Sequence, residues 1–108
     1  MSFQLKVLYQ NRLPTGGATT ILTVPAGKAY LIKTIVLTNT SSSLASDLNL
    51  IFSGGGASGK VLEKDYSLAA LACRVLTTEL TLQAGDTLQA SSSLTTVDCT
   101  MHGLEQTL

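Results

Sequence analysis

The stretch VPAGKAYLIKTIVLTN, residues 24–39, decides the fold class of this 108-residue chain. Thr, Val and Ile favour β-strands because a branched Cβ packs well on a pleated surface. From residue 28 onward, apolar side chains occupy both alternating sets of positions, which is typical of a strand covered on each side. We predict a central strand over residues 28–39, with another subunit as a candidate cover for its second face. The two predicted faces carry Tyr30, Ile32, Thr34, Val36 and Thr38, and Leu31, Lys33, Ile35 and Leu37.

A turn signal precedes this strand and recurs later in the chain. Pro25-Ala26-Gly27 ends one apolar segment, and Gln83-Ala84-Gly85 occupies the same place before a late strand. Gly at the third position of a turn supplies the positive φ that a type II turn requires. We therefore predict positive φ at Gly27 and Gly85, with strands leaving at Lys28 and Asp86.

Outward from these turns, most of the chain alternates between apolar and polar residues. Short strands with turn signals between them are typical of a sandwich, so we predict a single antiparallel β-sandwich of jelly-roll type. One segment departs from this pattern, because Asp65 is a good N-cap and helix formers follow it. We predict one short helix over residues 65–72. The further predicted strands cover residues 5–9, 20–24, 48–52, 76–82 and 97–101.

A chain of this length is enough for one domain. Residues 1–17 hold a short strand pattern followed by Pro14 and the Gly16-Gly17 break, which predicts an N-terminal arm. Residues 18–108 form the predicted sandwich domain. We expect the arm to pair with the sheet edge of a neighbouring subunit.

The composition indicates a protein that associates with other protein. Charged residues make up 13% of the chain, about half of the ~25% usual in a soluble domain. Seven basic residues balance seven acidic ones, which gives no footprint for nucleic acid or an anionic membrane. A weakly charged surface at zero net charge self-associates, so we expect a homo-oligomer.

Targeting signals and cysteine usage indicate where the chain is made. It starts without a secretory signal pattern, and no apolar stretch reaches the ~18 residues of a membrane helix. We therefore expect synthesis in a cytoplasm. Cys73 and Cys99 are too few for a disulfide framework, so we predict buried, unpaired thiols.

Gly54-Gly55-Gly56-Ala57-Ser58-Gly59-Lys60 matches most of a phosphate-binding P-loop. A working P-loop needs Ser or Thr after the lysine to hold magnesium, and Val61 stands there instead. A run rich in glycine also satisfies many glycine patterns by accident. We interpret this segment as a flexible hairpin loop and predict no cofactor.

Candidate catalytic residues are sparse. His102 is the sole histidine, and Asp98 and Thr100 precede it at alternating positions, which predicts a solvent-facing row on a strand. One histidine and two cysteines without ligand spacing predict no metal site. Asn39-Thr40-Ser41 satisfies the glycosylation sequon, and we interpret it as a turn. We therefore predict no catalytic, cofactor-binding or metal-binding residue, and no enzyme.

Residues 24–39, together with LTLQAGDTLQA at residues 80–90, resemble small virion proteins of tailed bacteriophages. The resemblance implies a capsid decoration (cement) protein that stabilises the phage head through contacts with the major capsid protein. A tail or baseplate component is the alternative within that class. A carbohydrate-binding β-sandwich is the alternative from another class, and the absence of Trp weakens it. The resemblance also implies a homotrimer, because a trimer suits the local threefold positions of a capsid. The location implied is the virion.

Overall fold

The computed structural model describes residues 2–54, 57–62 and 65–108, and it is all-β. The described ranges contain nine strands and no helix, so none of their segments is a helix that could cross a membrane. The strands are β1 (Ser2–Arg12), β2 (Thr19–Thr23), β3 (Lys28–Asn39), β4 (Ala45–Gly54), β5 (Ala57–Lys60), β6 (Tyr66–Leu68), β7 (Cys73–Gln83), β8 (Thr87–Ser91) and β9 (Val97–Thr107).

Two antiparallel sheets pack face to face and enclose the core. One sheet has the strand order β1-β9-β3-β7, and the other has the order β2-β8-β4-β5, with β6 also paired to β4. The chain moves between the sheets, so that β2 and β3 belong to different sheets, as do β7 and β8. The sandwich predicted from the sequence is confirmed, and its strand order is that of a jelly roll.

Strand β3 lies between β9 and β7 and has the bounds that the sequence predicted. Its pairing shifts between Ile32 and Thr34 against both neighbours. A bulge adds one residue and reverses the alternation beyond it. Ile32 and Ile35 are therefore both fully buried, with Leu37 continuing on the same side. The predicted division of this strand into two faces is correct up to Ile32 and wrong after it.

Gly103 of β9 lies opposite Ile32, at the point where the bulge begins. A Cβ built on Gly103 would overlap the carbonyl oxygen of Leu31. Only a residue without a side chain allows β9 to approach the bulged strand this closely. The same level of the sheet also carries the shift between β1 and β9, after Val7. The irregularity thus crosses the whole four-stranded sheet.

The two predicted glycine turns are confirmed, because Gly27 has φ 77° and Gly85 has φ 88°. Each turn carries the chain from one sheet to the other. The turns also bond to each other: the Val24 N–H donates to the Asp86 carbonyl at 3.0 Å, and the Gly85 N–H donates to the Val24 carbonyl at 2.9 Å. The repeated Ala-Gly signal therefore marks one place where the two sheets are joined.

The helix predicted over residues 65–72 is wrong. Residues 66–68 form β6, whose Leu68 pairs with Ala45 of β4 and is buried. Asp65 and Leu71 have φ of 53° and 58°, and the left-handed conformation at these positions stops a right-handed helix at both ends. Burial of Leu68 against β4 outweighs the local helix propensity, which is worth only tenths of a kcal/mol per residue.

The N-terminal segment is built into the sheet of its own chain. Strand β1 pairs along its length with β9, and it contains the strand predicted at residues 5–9. Beyond it, the N–H of the buried Leu13 donates to the Val97 carbonyl at 2.8 Å. Thr15 forms a bridge with Ser92 of the second sheet. Met1 of the predicted arm lies outside the described residues.

Asn39 is fully buried at the end of β3 and holds three loops together. This burial agrees with a structural turn rather than a glycosylation site. A buried amide must satisfy its donors and acceptor, and here it satisfies both ends. Its Nδ2 donates to the carbonyls of Ser43 (2.8 Å), Leu68 (3.2 Å) and Ala69 (3.3 Å), and its Oδ1 accepts from the Ser41 N–H (3.0 Å) and the Thr96 hydroxyl (3.4 Å).

The two cysteines are unpaired, as predicted. Cys73 pairs with Thr38 and Cys99 pairs with Leu37, so they flank β3 on opposite sides and point to opposite faces. Cys99 is buried, and burial raises its pKa to about 12. Cys73 is exposed, so the prediction of two buried thiols is wrong for this residue. It lies on an edge strand, on the face turned away from the core.

Candidate interaction surface

The four-stranded sheet has an inner face on the core and an outer face turned away from the second sheet. We define the outer face by its apolar side chains Leu5, Val7, Leu31, Val36, Val75 and Leu104. Three of them are largely exposed: Leu5 by 76%, Val75 by 56% and Val7 by 44%. Such a group of exposed apolar side chains on one surface is typical of an interaction site.

Cross-strand pairing arranges these side chains in rows. Leu5, Leu104, Leu31 and Thr81 stand opposite one another across the four strands. A second row runs from Gln10 through Thr100 and Val36 to Val75. Residues opposite each other on one face of a sheet are in side-chain contact. These two rows of the outer face therefore carry mainly Leu, Val and Thr.

Charges on the outer face occur in balanced pairs. Arg12 and Asp98 approach to 3.4 Å at one end, and Lys33 and Glu79 approach to 3.8 Å at the bulge. These side chains are 48–78% exposed, so the pairs contribute little to stability. The four charges cancel, so the outer face suits a partner surface that has no net charge.

His102 lies on the outer face between Val7 and Thr34 and is exposed, as the predicted solvent-facing row requires. Asp98 stands four residues away on the same strand, and its carboxylate pairs with Arg12 instead. A catalytic triad needs the histidine and the carboxylate in hydrogen-bond contact. The strand thus holds apart His102 and Asp98, which a Ser-His-Asp hydrolase site would bring together.

The glycine-rich segment forms a hairpin, as predicted. Strand β4 pairs with β5, with Gly54 opposite Ala57 and Phe52 opposite Gly59. A Cβ on Gly59 would meet the Phe52 ring at 2.6 Å, so this glycine makes room for an aromatic ring. A P-loop joins a strand to a helix, whereas this loop joins two strands. Gly55 and Gly56 lie outside the described residues.

A polar cleft of about 440 Å³ opens on the second sheet. Asn49 organises it, because its Nδ2 donates to the Asp65 carboxylate at 3.1 Å and its Oδ1 accepts from the Asp65 N–H at 3.0 Å. Asp47, beside it, has the rare φ of 54°. The described residues that line the cleft include no aromatic side chain. Its volume suits a small ligand, and most of the residues that line it are Ser, Thr, Asp or Asn.

A charge cluster around the buried carboxylate of Glu105 lies on the inner face and was not predicted from the sequence. The Glu105 side chain is only 8% exposed and accepts from Lys28 Nζ at 3.1 Å and Lys6 Nζ at 3.3 Å. The Lys28 hydrogen bond is the main cause that lowers the pKa of Glu105. Burial, and then the charge of Glu105, raise the pKa of Tyr30. The signal was present, because Glu105 continues the buried alternation of residues 97–101.

No three His, Cys, Asp or Glu side chains within the described ranges come together as a metal site. No family model matches the chain. No curated protein matches its sequence. The resemblance to phage virion proteins therefore stays an expectation, based on residues 24–39 and 80–90.

Proposed function

We propose that the protein is a non-enzymatic structural subunit of a tailed bacteriophage virion. Its role is to decorate the capsid and stabilise the head through contacts with the major capsid protein. The observation that supports this proposal is the outer face, a neutral apolar surface turned away from the core. Such a surface is suited to permanent contact with other protein, because apolar area gains free energy when it leaves water.

The size of the outer face supports a protein partner. Strands of 11 or 12 residues rise about 3.3 Å per residue, and four strands lie about 4.8 Å apart, which gives a face of roughly 36 by 19 Å, or about 700 Å². A specific protein interface buries about 800 Å² on each partner. One contact over this face therefore provides most of a standard interface.

The fold supports the same class of function, together with one competitor. Jelly rolls occur in viral capsid proteins and in lectins, and fold alone does not choose between them. The second candidate, a carbohydrate-binding module, is favoured by the polar cleft around Asn49. Its carboxylates and hydroxyls could bond to sugar hydroxyls. Sugar sites commonly add an aromatic platform, which the described lining of the cleft lacks.

The test is binding to phage particles. Purified protein is mixed with phage heads and with tails, and the bound fraction is measured by co-sedimentation, while light scattering follows its mass across a concentration series. Leu31→Glu places a charge at the centre of the outer face. Leu44→Glu makes the same change at a residue that is 56% exposed in a loop elsewhere. Thermal unfolding checks that both variants fold.

We expect the native protein and Leu44→Glu to bind heads and Leu31→Glu to lose binding. Binding to tails alone would move the protein to the tail or baseplate. A monomer at every concentration that binds neither particle would refute the structural role. Titration of glycans against an Asn49→Ala variant would then test the cleft.

A further inference from the structure

The edges of the two sheets differ in length. The second sheet ends in β2 with five residues on one side and in β5 and β6 with four and three on the other. The four-stranded sheet ends in β1 and β7, each of 11 residues. Within the described part of the chain, β1 pairs only with β9, and β7 pairs only with β3. One row of backbone groups on each long edge therefore pairs with no other strand of the described residues, and near the strand ends the Arg12 N–H, the Arg12 carbonyl and the Gln83 N–H bond to neighbouring side chains.

Natural proteins protect exposed edges with short strands, proline or several charges. The second sheet uses short strands. Neither β1 nor β7 contains Pro or Gly, and each carries two charged residues, Lys6 and Arg12 in β1 and Arg74 and Glu79 in β7. Apart from the bulge that crosses the sheet, the two long edges carry little protection, and such edges pair readily with another strand.

The directions of the two edges match each other. Because all pairs in the β1-β9-β3-β7 sheet are antiparallel, β1 and β7 run in opposite directions. When a second copy is placed beside the first with its sheet in the same orientation, β7 of one chain therefore meets β1 of the next as an antiparallel pair. Both strands have the same length. The pairing continues the sheet and sets the outer face of one copy beside the outer face of the next.

We infer that β7 pairs edge to edge with β1 of a second copy of this chain, and that this contact builds the homo-oligomer. The inference rests on the proposed structural role and names the contact that the subunits use. The contact is head-to-tail, so it closes into a ring when the rotation between copies allows it. A ring of three copies is the trimer expected from the sequence. The main-chain bonds hold the copies together, and the outer faces merge into one surface.

Cys73 provides a direct test, because it is an exposed thiol at the start of β7. End-to-end pairing puts it opposite Arg12 of the next copy. Opposite residues in an antiparallel pair have Cα atoms about 4.5–5.5 Å apart, which suits a disulfide. Within one chain, Arg12, Asp98, Thr38 and Cys73 form a single row. Three strand spacings, about 14 Å, separate Arg12 from Cys73 there, which is too far for a disulfide.

The experiment is mild oxidation of an Arg12→Cys variant, analysed on non-reducing gels beside light scattering. Leu5→Cys is the matched control, because Leu5 is exposed on the same face at the opposite end of β1. Arg12→Cys combined with Cys73→Ser removes the partner thiol. We expect loss of the monomer band for Arg12→Cys alone, with cross-linked species of the mass found by light scattering, and an unchanged monomer band for both controls.

Any other cross-linking pattern overturns the inference. Cross-linking that persists without Cys73 would show β1 against β1, and cross-linking of Leu5→Cys would show another register. Oligomers by light scattering without any Arg12→Cys cross-link would place the contact elsewhere, and the virion role would survive. Cross-linking together with no binding to phage particles would keep the edge contact and refute the virion role.

Discussion

Ile35 and Val36 are neighbours on β3, yet they end in different environments. Ile35 is fully buried on the inner face, whereas Val36 is half-buried on the outer face beside Val75. The two faces of this strand are similarly apolar in sequence. The second sheet covers one of them. An apolar strand face gains free energy when it is buried. Whether the rest of the fold or another molecule covers that face does not follow from the composition of the strand.

Truncation of the two neighbours measures this difference most directly. Ile35→Ala should lower the free energy of unfolding by about 2–5 kcal/mol, because it leaves a cavity in the packed core. Val36→Ala should cost about 1 kcal/mol or less in the monomer, since the lost methyl groups are already half in water. Urea unfolding of both variants at low protein concentration provides the values. Equal losses would contradict the assignment of the two faces.

Substitution of Asn39 tests the polar end of the buried face of β3. Asn39→Ala should lower the free energy of unfolding by about 2–4 kcal/mol, because several buried carbonyl and N–H groups lose their partner. Asn11→Ala removes an exposed amide on β1 and should change the free energy of unfolding by less than about 0.5 kcal/mol. Urea unfolding again measures both. A small loss for Asn39→Ala would mean that water replaces the amide, so that the site is less enclosed than its burial indicates.

Substitutions in the two turns that join the four-stranded sheet to the second sheet should lower the stability by less. Gly27→Ala and Gly85→Ala should each cost about 1 kcal/mol, because Ala fits a positive φ poorly. Space is not the cause, since a Cβ at either position meets nothing within 4 Å. Gly17→Ala is the control, with equal space and no positive φ. Thermal unfolding of the three variants should separate Gly17→Ala from the others, and unchanged stability in all three would refute the turn assignment.

Glu105 gives the inner face a pH dependence. Its pKa in the folded protein is below its ordinary 4.5, so the folded state favours the ionised carboxylate. This contribution is complete above about pH 4.5 and is lost as the pH falls through the folded pKa. Unfolding from pH 7 to pH 3 should show a decline in stability that is shallower in Glu105→Gln. Parallel curves for the two proteins would contradict the role of Lys28 and Lys6.

Several features of the fold could be predicted because they depend on local chemistry. The bounds of β3 follow from its run of β-branched residues, and the positive φ at Gly27 and Gly85 follows from the turn type. The prediction of a helix at residues 65–72 was wrong because the helix propensity of this segment is a smaller free energy than the burial of Leu68 against β4. The buried positions of Glu105 and Asn39 were missed because their partners lie far away in the chain. Lys6 is 99 residues from Glu105, and no sequence spacing connects them.

The sequence by itself determined the class of fold and the places of the turns. It also determined that the chain has more apolar side chains than one core can bury. These properties depend on side-chain alternation and on the conformations that single residues allow. The tertiary structure alone decided which face of β3 became the core, because the bulge at Ile32 reverses the alternation and its cause, the close approach of β9 at Gly103, is a contact between distant strands. It also decided that, among the described residues, the long strands β1 and β7 lie at the two edges of their sheet, since an edge is defined only when every strand has found its partner.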